Sequence, residues 1–229
     1  MGTALLVEYY NALPRARRSD APEAFGRRME KALAKFQKQV GERYTEGTLQ
    51  RLLESPSARA RRAATLALGM IGTMDSNAAL AARLKDNDAQ VRQMAGEALW
   101  SVWFRAADEA DAQELQRLVR LDDGDEALAG LNALIKRAPD FAEAYNQRAV
   151  VYFRKQEYAR AIADCERVLE RNPCHFGALS GMAECYVNLR KPRAALKAYR
   201  QAFRINPNLG GVLETIRALE EALGEEGKK

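Results

Sequence analysis

The sequence predicts an all-α protein, an α-solenoid of stacked helical hairpins. In the C-terminal half, prolines recur at equal intervals, at Pro139, Pro173 and Pro207, and we call this interval the long period. In the N-terminal half, apolar residues recur at a slightly smaller interval, the short period, which leads from Leu49 to Leu80. No stretch shows the alternation of apolar and polar residues, bounded by turn residues, that is typical of a strand. Sequence repeats with a period of roughly 20–50 residues indicate stacked structural units, each of which buries one face against the next unit.

The long period of the C-terminal half predicts pairs of helices. Small residues keep the period at Ala127, Ala161 and Ala195, where two helices would cross closely, and each proline would end a second helix. We predict three repeats and a capping helix, at residues 108–141, 142–175, 176–209 and 209–223. The first repeat is degenerate, because Asp111 stands where an aromatic residue is usual.

The short period of the N-terminal half also predicts paired helices. It superposes Leu49 on Leu80 and Leu53 on Leu84, so residues 45–105 hold about two units. Two more helices lie upstream as a cap, and the second would begin with Asp20 as its N-cap. We place the domain boundary between residues 107 and 108.

Composition is that of a packed globular protein. Of 229 residues, 47% are hydrophobic and 29% are charged. No apolar run approaches the roughly 20 residues needed to span a bilayer, and the first residues lack the pattern of a signal peptide. Three cysteines do not suggest a disulfide framework, so we expect reduced thiols and a cytoplasmic location.

The two periods correspond to two known repeat families. Residues 142–209 resemble tetratricopeptide repeats, which have apolar residues early in each repeat, small residues where its two helices cross and proline at its end. Residues 45–105, with an apolar helix, an Asp-containing turn and an Ala-rich helix, resemble HEAT repeats. The resemblance implies residues 1–107 as cap helices and HEAT-like repeats, and residues 108–229 as a tetratricopeptide domain. It also implies a scaffold that binds a peptide or a partner protein, not an enzyme.

The resemblance further implies a concave groove lined by the first helix of each hairpin. The groove positions carried over are Gln113, Gln116, Arg120, Asn146, Val150, Phe153, Arg154, Ser180, Glu184, Val187 and Asn188. Some tetratricopeptide proteins bind the C-terminal carboxylate of chaperones through basic residues. The corresponding positions here are Gly177 and Gly181, so we expect no such carboxylate clamp.

A basic N-terminal region suggests an alternative function, the binding of an anionic partner such as nucleic acid or an acidic protein. Residues 1–62 carry 13 basic and seven acidic side chains. The candidates are Arg15, Arg17, Arg18, Arg27, Arg28, Arg59, Arg61 and Arg62. We expect Arg92 to pair with Asp86, six residues earlier, whereas Arg61 has Ser55 at that distance and would lack this partner. The modest excess of charge favours the protein scaffold.

The reactive side chains are better explained by the repeat than by a site. His175, the only histidine, lies among the three cysteines, which raises the possibility of a metal or redox site. The positions one long period before and after it hold Phe141 and Leu209, so His175 occupies a position that is apolar in the neighbouring repeats. Cys165 and Cys185 also replace apolar residues. No Cys-x-x-Cys pair and none of the common catalytic motifs is present. We therefore expect no metal, no cofactor and no catalytic residues.

An aromatic stripe lies close to the predicted domain boundary, at Trp100, Trp103 and Phe104. Such a stripe is either a binding hot spot or buried packing. We interpret it as packing.

Overall fold

The computed structural model describes residues 2–17 and 20–226, which form helices and contain no strand. The predicted fold class, an all-α solenoid of helical hairpins, is confirmed. The helices are α1 (Gly2–Asn11), α2 (Pro22–Arg43), α3 (Glu46–Leu52), α4 (Ala58–Ile71), α5 (Asn77–Arg83), α6 (Ala89–Phe104), α7 (Glu109–Val119), α8 (Gly124–Arg137), α9 (Ala142–Arg154), α10 (Tyr158–Arg171), α11 (Phe176–Asn188), α12 (Pro192–Ile205) and α13 (Val212–Glu226).

The chain forms two compact units, Met1–Val102 and Trp103–Lys229. The division lies a few residues before the predicted boundary, within the last turn of α6. Each unit has a buried set of apolar side chains that its own helices contribute.

The first unit contains α1 and α2 followed by the hairpins α3–α4 and α5–α6. Side-chain caps begin α3, α4 and α6, because Thr45 accepts the Thr48 N–H, Ser57 accepts the Ala60 N–H and Asp88 accepts the Val91 N–H. Small residues let α4 and α6 approach closely: a Cβ atom added at Gly69 would lie 3.0 Å from Ala98 Cβ. The Ala-rich sequence of α4 therefore positions the arginines in its first turns against the start of α6.

The predicted N-cap of α2 is wrong. The N-cap is Ala21, which has no side chain that could accept a hydrogen bond. The Asp20 carboxylate instead accepts the backbone N–H of Arg17 at 2.9 Å and pairs with Arg28 at 3.0 Å. These local partners hold Asp20 outside the helix, which begins at Pro22.

The second unit stacks the hairpins α7–α8, α9–α10 and α11–α12 and ends with α13. Pro139, Pro173 and Pro207 each lie two residues after the end of a second helix, as the spacing predicts. The final helix begins at Val212, directly after Gly211, whose φ of 74° is in the left-handed region that favours glycine. Val212 and Ile216 bury its inner face against the repeat before it.

Overpacking at a helix crossing should destabilise the second unit. Ala195 is 0% exposed, so we expect Ala195→Leu to lower the free energy of unfolding by roughly 1–3 kcal/mol because the extra methyl groups have no space. Ala163, exposed in the middle of α10, provides the matched control. Ala163→Leu should stay within about 0.5 kcal/mol of wild type in the same urea titration. Equal stability of the two variants would mean that Ala195 does not lie at a close crossing.

Candidate functional site

The predicted groove positions lie on the first helices of the three hairpins in the second unit, α7, α9 and α11, except for Arg120, which is the C-cap of α7. Eight of these side chains are exposed: Gln113, Gln116, Arg120, Val150, Arg154, Glu184, Val187 and Asn188. Phe153 and Ser180 are partly buried, and Asn146 is buried. The helices α9 and α11 contact each other, so their exposed residues form one surface.

Two small cavities lie side by side on this surface. The first, of about 280 Å³, lies between α7, α8 and α9 and is lined in part by Val119, Val150 and Arg154. The second, of about 180 Å³, lies between α9, α10 and α11 and is lined in part by Val150, Phe153 and Glu184. Val150 lies between the two cavities and lines both.

The remaining predicted groove residues lie away from the cavity walls. Asn146 is the exception, since it lines the second cavity although its side chain is only 6% exposed. Six others line neither cavity: Gln113, Gln116, Arg120, Ser180, Val187 and Asn188.

Exposed apolar side chains are concentrated on the groove helices. Among the side chains that the structure describes, the large hydrophobic ones that are more than a third exposed are Val119 at 42%, Val150 at 37% and Val187 at 44%. Val119, Phe153 and Val187 follow one another at the long period and so form one row across the three hairpins. The sequence interpretation missed Val119, which one step of the long period back from Phe153 would have found.

The groove also carries charges without partners. Arg120 and Arg154, which are also one long period apart, are exposed, and their guanidinium groups form no hydrogen bond or ion pair within the described residues. By contrast, Lys155 pairs with Asp125 at 2.8 Å. Across the groove, neighbouring side chains partly desolvate the Glu184 carboxyl group and raise its pKa. The surface therefore combines an apolar row with two available cations and one acidic group.

A buried polar network lies beneath the groove. The Glu143 carboxyl group accepts hydrogen bonds from Asn146 Nδ2 at 2.9 Å, from Gln147 Nε2 at 2.6 Å and from His175 Nε2 at 2.9 Å. Both Glu143 and His175 have side chains that are 0% exposed. Asn146 thus helps to hold the Glu143 carboxyl group in place.

His175 is a structural residue with specific partners, so its interpretation as an apolar substitute was incomplete. Its Nδ1 accepts the backbone N–H of Ala178 at 2.9 Å, which makes it the N-cap of α11. Because Nδ1 accepts, Nε2 carries the proton and donates to Glu143. The ring also stacks on Trp103, with centroids 4.1 Å apart. Trp103 is 1% exposed, which confirms the interpretation of this tryptophan as packing.

The cysteines have the environment of buried apolar residues. Burial raises the pKa of Cys165 to about 12 and that of Cys185 to about 11, and it also raises the pKa of the partly buried Cys174. Their thiols remain protonated at neutral pH and are poor nucleophiles and metal ligands. In the described residues, no group of three or more His, Cys, Asp and Glu side chains is arranged to hold a metal ion.

The basic residues of the first unit have separate environments. Arg15, Arg59 and Arg62 line one cavity of about 550 Å³. Arg17 is exposed, Arg27 lies 3.9 Å from Glu23, and Arg28 pairs with Asp20. Arg18 lies outside the described residues. The structure thus brings three of the predicted arginines together and leaves most of the others with local partners.

The prediction that Arg61 lacks an acidic partner is wrong. Arg61 is 7% exposed, and its Nε and Nη2 atoms donate to the two oxygens of Asp86, each at 2.8 Å. The partner comes from the turn of the next hairpin and not from six residues earlier, where Ser55 offers its backbone carbonyl to Arg61 at 2.9 Å. Arg92 donates to the backbone carbonyl of Asp86. Arg61 therefore does not belong to a surface for an anionic partner.

Asp88 makes the neighbouring ion pair, with Arg62 Nε at 2.9 Å and Nη2 at 2.5 Å. The hydrogen bonds from Arg62 lower the pKa of Asp88 to about 2, from an ordinary 3.8. An aspartate whose pKa is lower in the folded than in the unfolded chain adds stability above its unfolded pKa, and this stability is lost as the pH falls through the folded pKa.

The stability added by Asp88 should therefore depend on pH. We expect Asp88→Asn to destabilise the first unit at neutral pH, and the difference from wild type to shrink as the pH falls from about 4 to about 2. Chemical denaturation at a series of pH values measures this difference. A difference that stays constant over that range would contradict the assigned pair.

The helical hairpins define the class of the molecule, an α-helical repeat protein. HEAT repeats match residues 12–100 and 45–135, and tetratricopeptide repeats match residues 142–173 and 177–209. The chain belongs to the HEAT-repeat family and continues into tetratricopeptide repeats. The HEAT match extends over most of the stretch interpreted as a degenerate first repeat. No helix among the described residues is long and apolar enough to cross a membrane.

Individual relatives share parts of the chain. A TPR repeat-containing protein of Rhizobium etli is 35% identical over 141 residues, which are 62% of this chain and 62% of that protein. Human Superkiller complex protein 3 is 25% identical over 119 residues, which are 51% of this chain and 8% of that protein. The chain therefore spans less than two thirds of the length of these relatives.

Solved structures of tetratricopeptide proteins are similar to parts of this chain at low identity. The first tetratricopeptide domain of Spaghetti, bound to a peptide, is 23% identical and covers 50% of this chain and 91% of its own, with a TM-score of 0.47. YrrB, described as a tetratricopeptide protein with an unusual peptide-binding site, is 18% identical and covers 86% of this chain and 100% of its own, with a TM-score of 0.44.

Proposed function

We propose that the protein is a non-enzymatic scaffold whose groove on α7, α9 and α11 binds a peptide segment of a partner protein. The observation that carries this proposal is the row of apolar side chains Val119, Phe153 and Val187. Its two valines are exposed and Phe153 is partly buried, and the exposed Val150 lies beside the row. Apolar side chains exposed in a row across successive repeats cost free energy in water, and a bound partner would remove them from it.

The size of the cavities supports a peptide over a small molecule. Their volumes, about 280 and 180 Å³, lie below the roughly 300–1,000 Å³ that is typical of small-molecule sites. Two separate small cavities instead fit two side chains of one chain. Asn146, which lines the second cavity, is held by its hydrogen bond to Glu143.

The charges of the groove indicate which charged residue the peptide should carry. Arg120 and Arg154, which have no partner in the described part of the chain, favour a carboxylate on the peptide, next to the apolar residues that would occupy the cavities. Gly177 and Gly181 leave the positions of a chaperone clamp without basic side chains. We therefore propose an internal peptide segment with apolar residues and one acidic residue as the occupant.

Selection from a random-sequence peptide library, followed by affinity measurement, tests this function. We expect wild type to select peptides that combine apolar residues with an acidic one. The variant Val119→Ser/Val187→Ser should bind them about tenfold or more weakly, because each valine loses buried apolar area. The matched control, Ala133→Ser/Ala163→Ser, changes exposed residues of α8 and α10 and should leave affinity unchanged.

The contribution of charge is tested separately. Arg120→Gln/Arg154→Gln should remove the preference for acidic peptides, whereas Lys136→Gln/Arg204→Gln, with the same loss of charge on α8 and α12, should keep it. Selected peptides that bind all four variants equally well would overturn the groove as the binding site.

A further inference from the structure

The 550 Å³ cavity of the first unit is formed by helices that are distant in sequence. The end of α1 and the chain after it supply Tyr10, Asn11 and Arg15, α4 supplies Arg59 and Arg62, and α6 supplies Gln90. These side chains place three guanidinium groups, two amides and a phenol around one space. The remaining lining residues, Leu13, Pro14 and Met29, are apolar.

The charges around this cavity are not balanced within the described residues. Helix α4 has no acidic residue in its first turn. Arg61 and Arg62 are neutralised by Asp86 and Asp88, but the guanidinium of Arg59 forms no ion pair or hydrogen bond in the described part of the chain. An arginine at a helix N-terminus opposes the positive end of the helix dipole and is unfavourable unless an anion is nearby.

Arg15 adds a second unbalanced charge at the same cavity. Its guanidinium is exposed and has no partner among the residues that the structure describes. Arg62 contributes further, because Asp88 occupies only two of its five N–H donors. The cavity therefore offers an excess of about two positive charges together with neutral hydrogen-bond donors.

We propose that this cavity binds a small organic molecule through a phosphate monoester group. A phosphate monoester carries about −1.5 to −2 charges at neutral pH and accepts several hydrogen bonds, which matches the two unbalanced arginines and the amides. The apolar lining residues contact the organic part of the ligand. The volume, about 550 Å³, lies within the roughly 300–1,000 Å³ of small-molecule sites.

The arrangement fits a small ligand better than nucleic acid. A nucleic-acid surface needs cations along a track of successive phosphates. Arg28 and Arg61 are engaged by carboxylates and Arg27 lies beside one, whereas Arg15 and Arg59 line one and the same cavity.

Calorimetric titration with phenyl phosphate tests the proposal. Arg59→Gln and Arg15→Gln should each weaken binding about tenfold or more, since each removes a charge-assisted hydrogen bond. The matched control is Arg27→Gln, which removes the same charge from an exposed position of α2 outside the cavity, and it should bind like wild type. Both cavity arginines are exposed, so the folding of these variants is checked by circular dichroism and should be unchanged. Loss of binding in Arg27→Gln equal to that in Arg59→Gln would overturn a specific site.

Three further probes distinguish the parts of the proposal. Phenyl sulfate, a monoanion of similar shape, should bind more weakly than phenyl phosphate, and equal binding would overturn the requirement for a dianion. Inorganic phosphate should also bind more weakly than phenyl phosphate, since it has no organic part to contact the apolar lining residues. Equal binding would overturn the inference that the ligand is an organic phosphate. Single-stranded DNA that binds more tightly than phenyl phosphate, and is lost equally in all three arginine variants, would replace the proposal with a nucleic-acid surface.

Discussion

Asp86→Ala should destabilise the first unit by roughly 3–5 kcal/mol, the range for breaking a buried ion pair from one side. Asp86 and Arg61 have side chains that are 3% and 8% exposed, and they are joined by two hydrogen bonds of 2.8 Å. Burial alone would raise the pKa of Asp86, but the hydrogen bonds from Arg61 hold it below its ordinary value. Removing the carboxylate leaves a buried guanidinium without its charge partner, which is the source of the cost. Urea unfolding followed by circular dichroism measures the change.

Two variants separate this ion pair from other effects of the substitution. Asp75→Ala removes an exposed aspartate of the same unit and should change stability by less than about 0.5 kcal/mol. Adding Arg61→Met to Asp86→Ala should recover part of the loss, because a buried apolar side chain needs no charge partner. If the double variant is less stable than Asp86→Ala alone, the cost comes from lost packing and not from the unpaired guanidinium.

The hairpins were predictable because their signals are local and periodic. Pro139, Pro173 and Pro207 each mark the end of a second helix, since proline cannot continue it. Ala127, Ala161 and Ala195 mark the crossings, where all three are buried. Such features recur in every repeat, so a fixed step along the sequence is sufficient to find them.

Contacts between repeats were not predictable in the same way. Comparison of equivalent positions in successive repeats shows where in the hairpin a residue lies, but it does not show which residue it contacts. Arg61 and His175 are both examples. The partner of Arg61 lies 25 residues later in the next hairpin, and that of His175 lies 32 residues earlier in α9. Each pair occurs at one junction between hairpins, so no other repeat reveals it.

The sequence also did not predict correctly which side chains of the groove helices are exposed. Val119 was not among the predicted groove residues, although Gln116 of the same helix was, and the structure shows Val119 to be 42% exposed. Asp111 of this helix pairs with Arg137, a partner on the other helix of its hairpin, which explains a polar residue at that repeat position. Asn146 shows the opposite case, since a position expected on the surface is occupied in holding Glu143.

The network around His175 should make this residue one of the most sensitive positions of the second unit. We expect His175→Ala to lower the free energy of unfolding by about 3 kcal/mol or more, because it leaves a cavity, removes the stacking on Trp103 and leaves Glu143 without one of its donors. The N-cap of α11 is lost as well. Cys174→Ala, at the adjacent partly buried position, should cost less than about 1 kcal/mol in the same denaturation experiment.

His175→Phe separates packing from hydrogen bonding at this position. Phenylalanine occupies the equivalent place in the preceding repeat, at Phe141, so the ring should fit and keep the contact with Trp103. The variant should still lose about 1–3 kcal/mol, because the buried Glu143 carboxyl group loses a donor. Adding Glu143→Gln should recover part of that loss, since a neutral amide costs less to bury. If His175→Phe alone were as stable as wild type, only the shape of the side chain would matter at this repeat position. The hydrogen bond between His175 and Glu143 would then contribute nothing to folding.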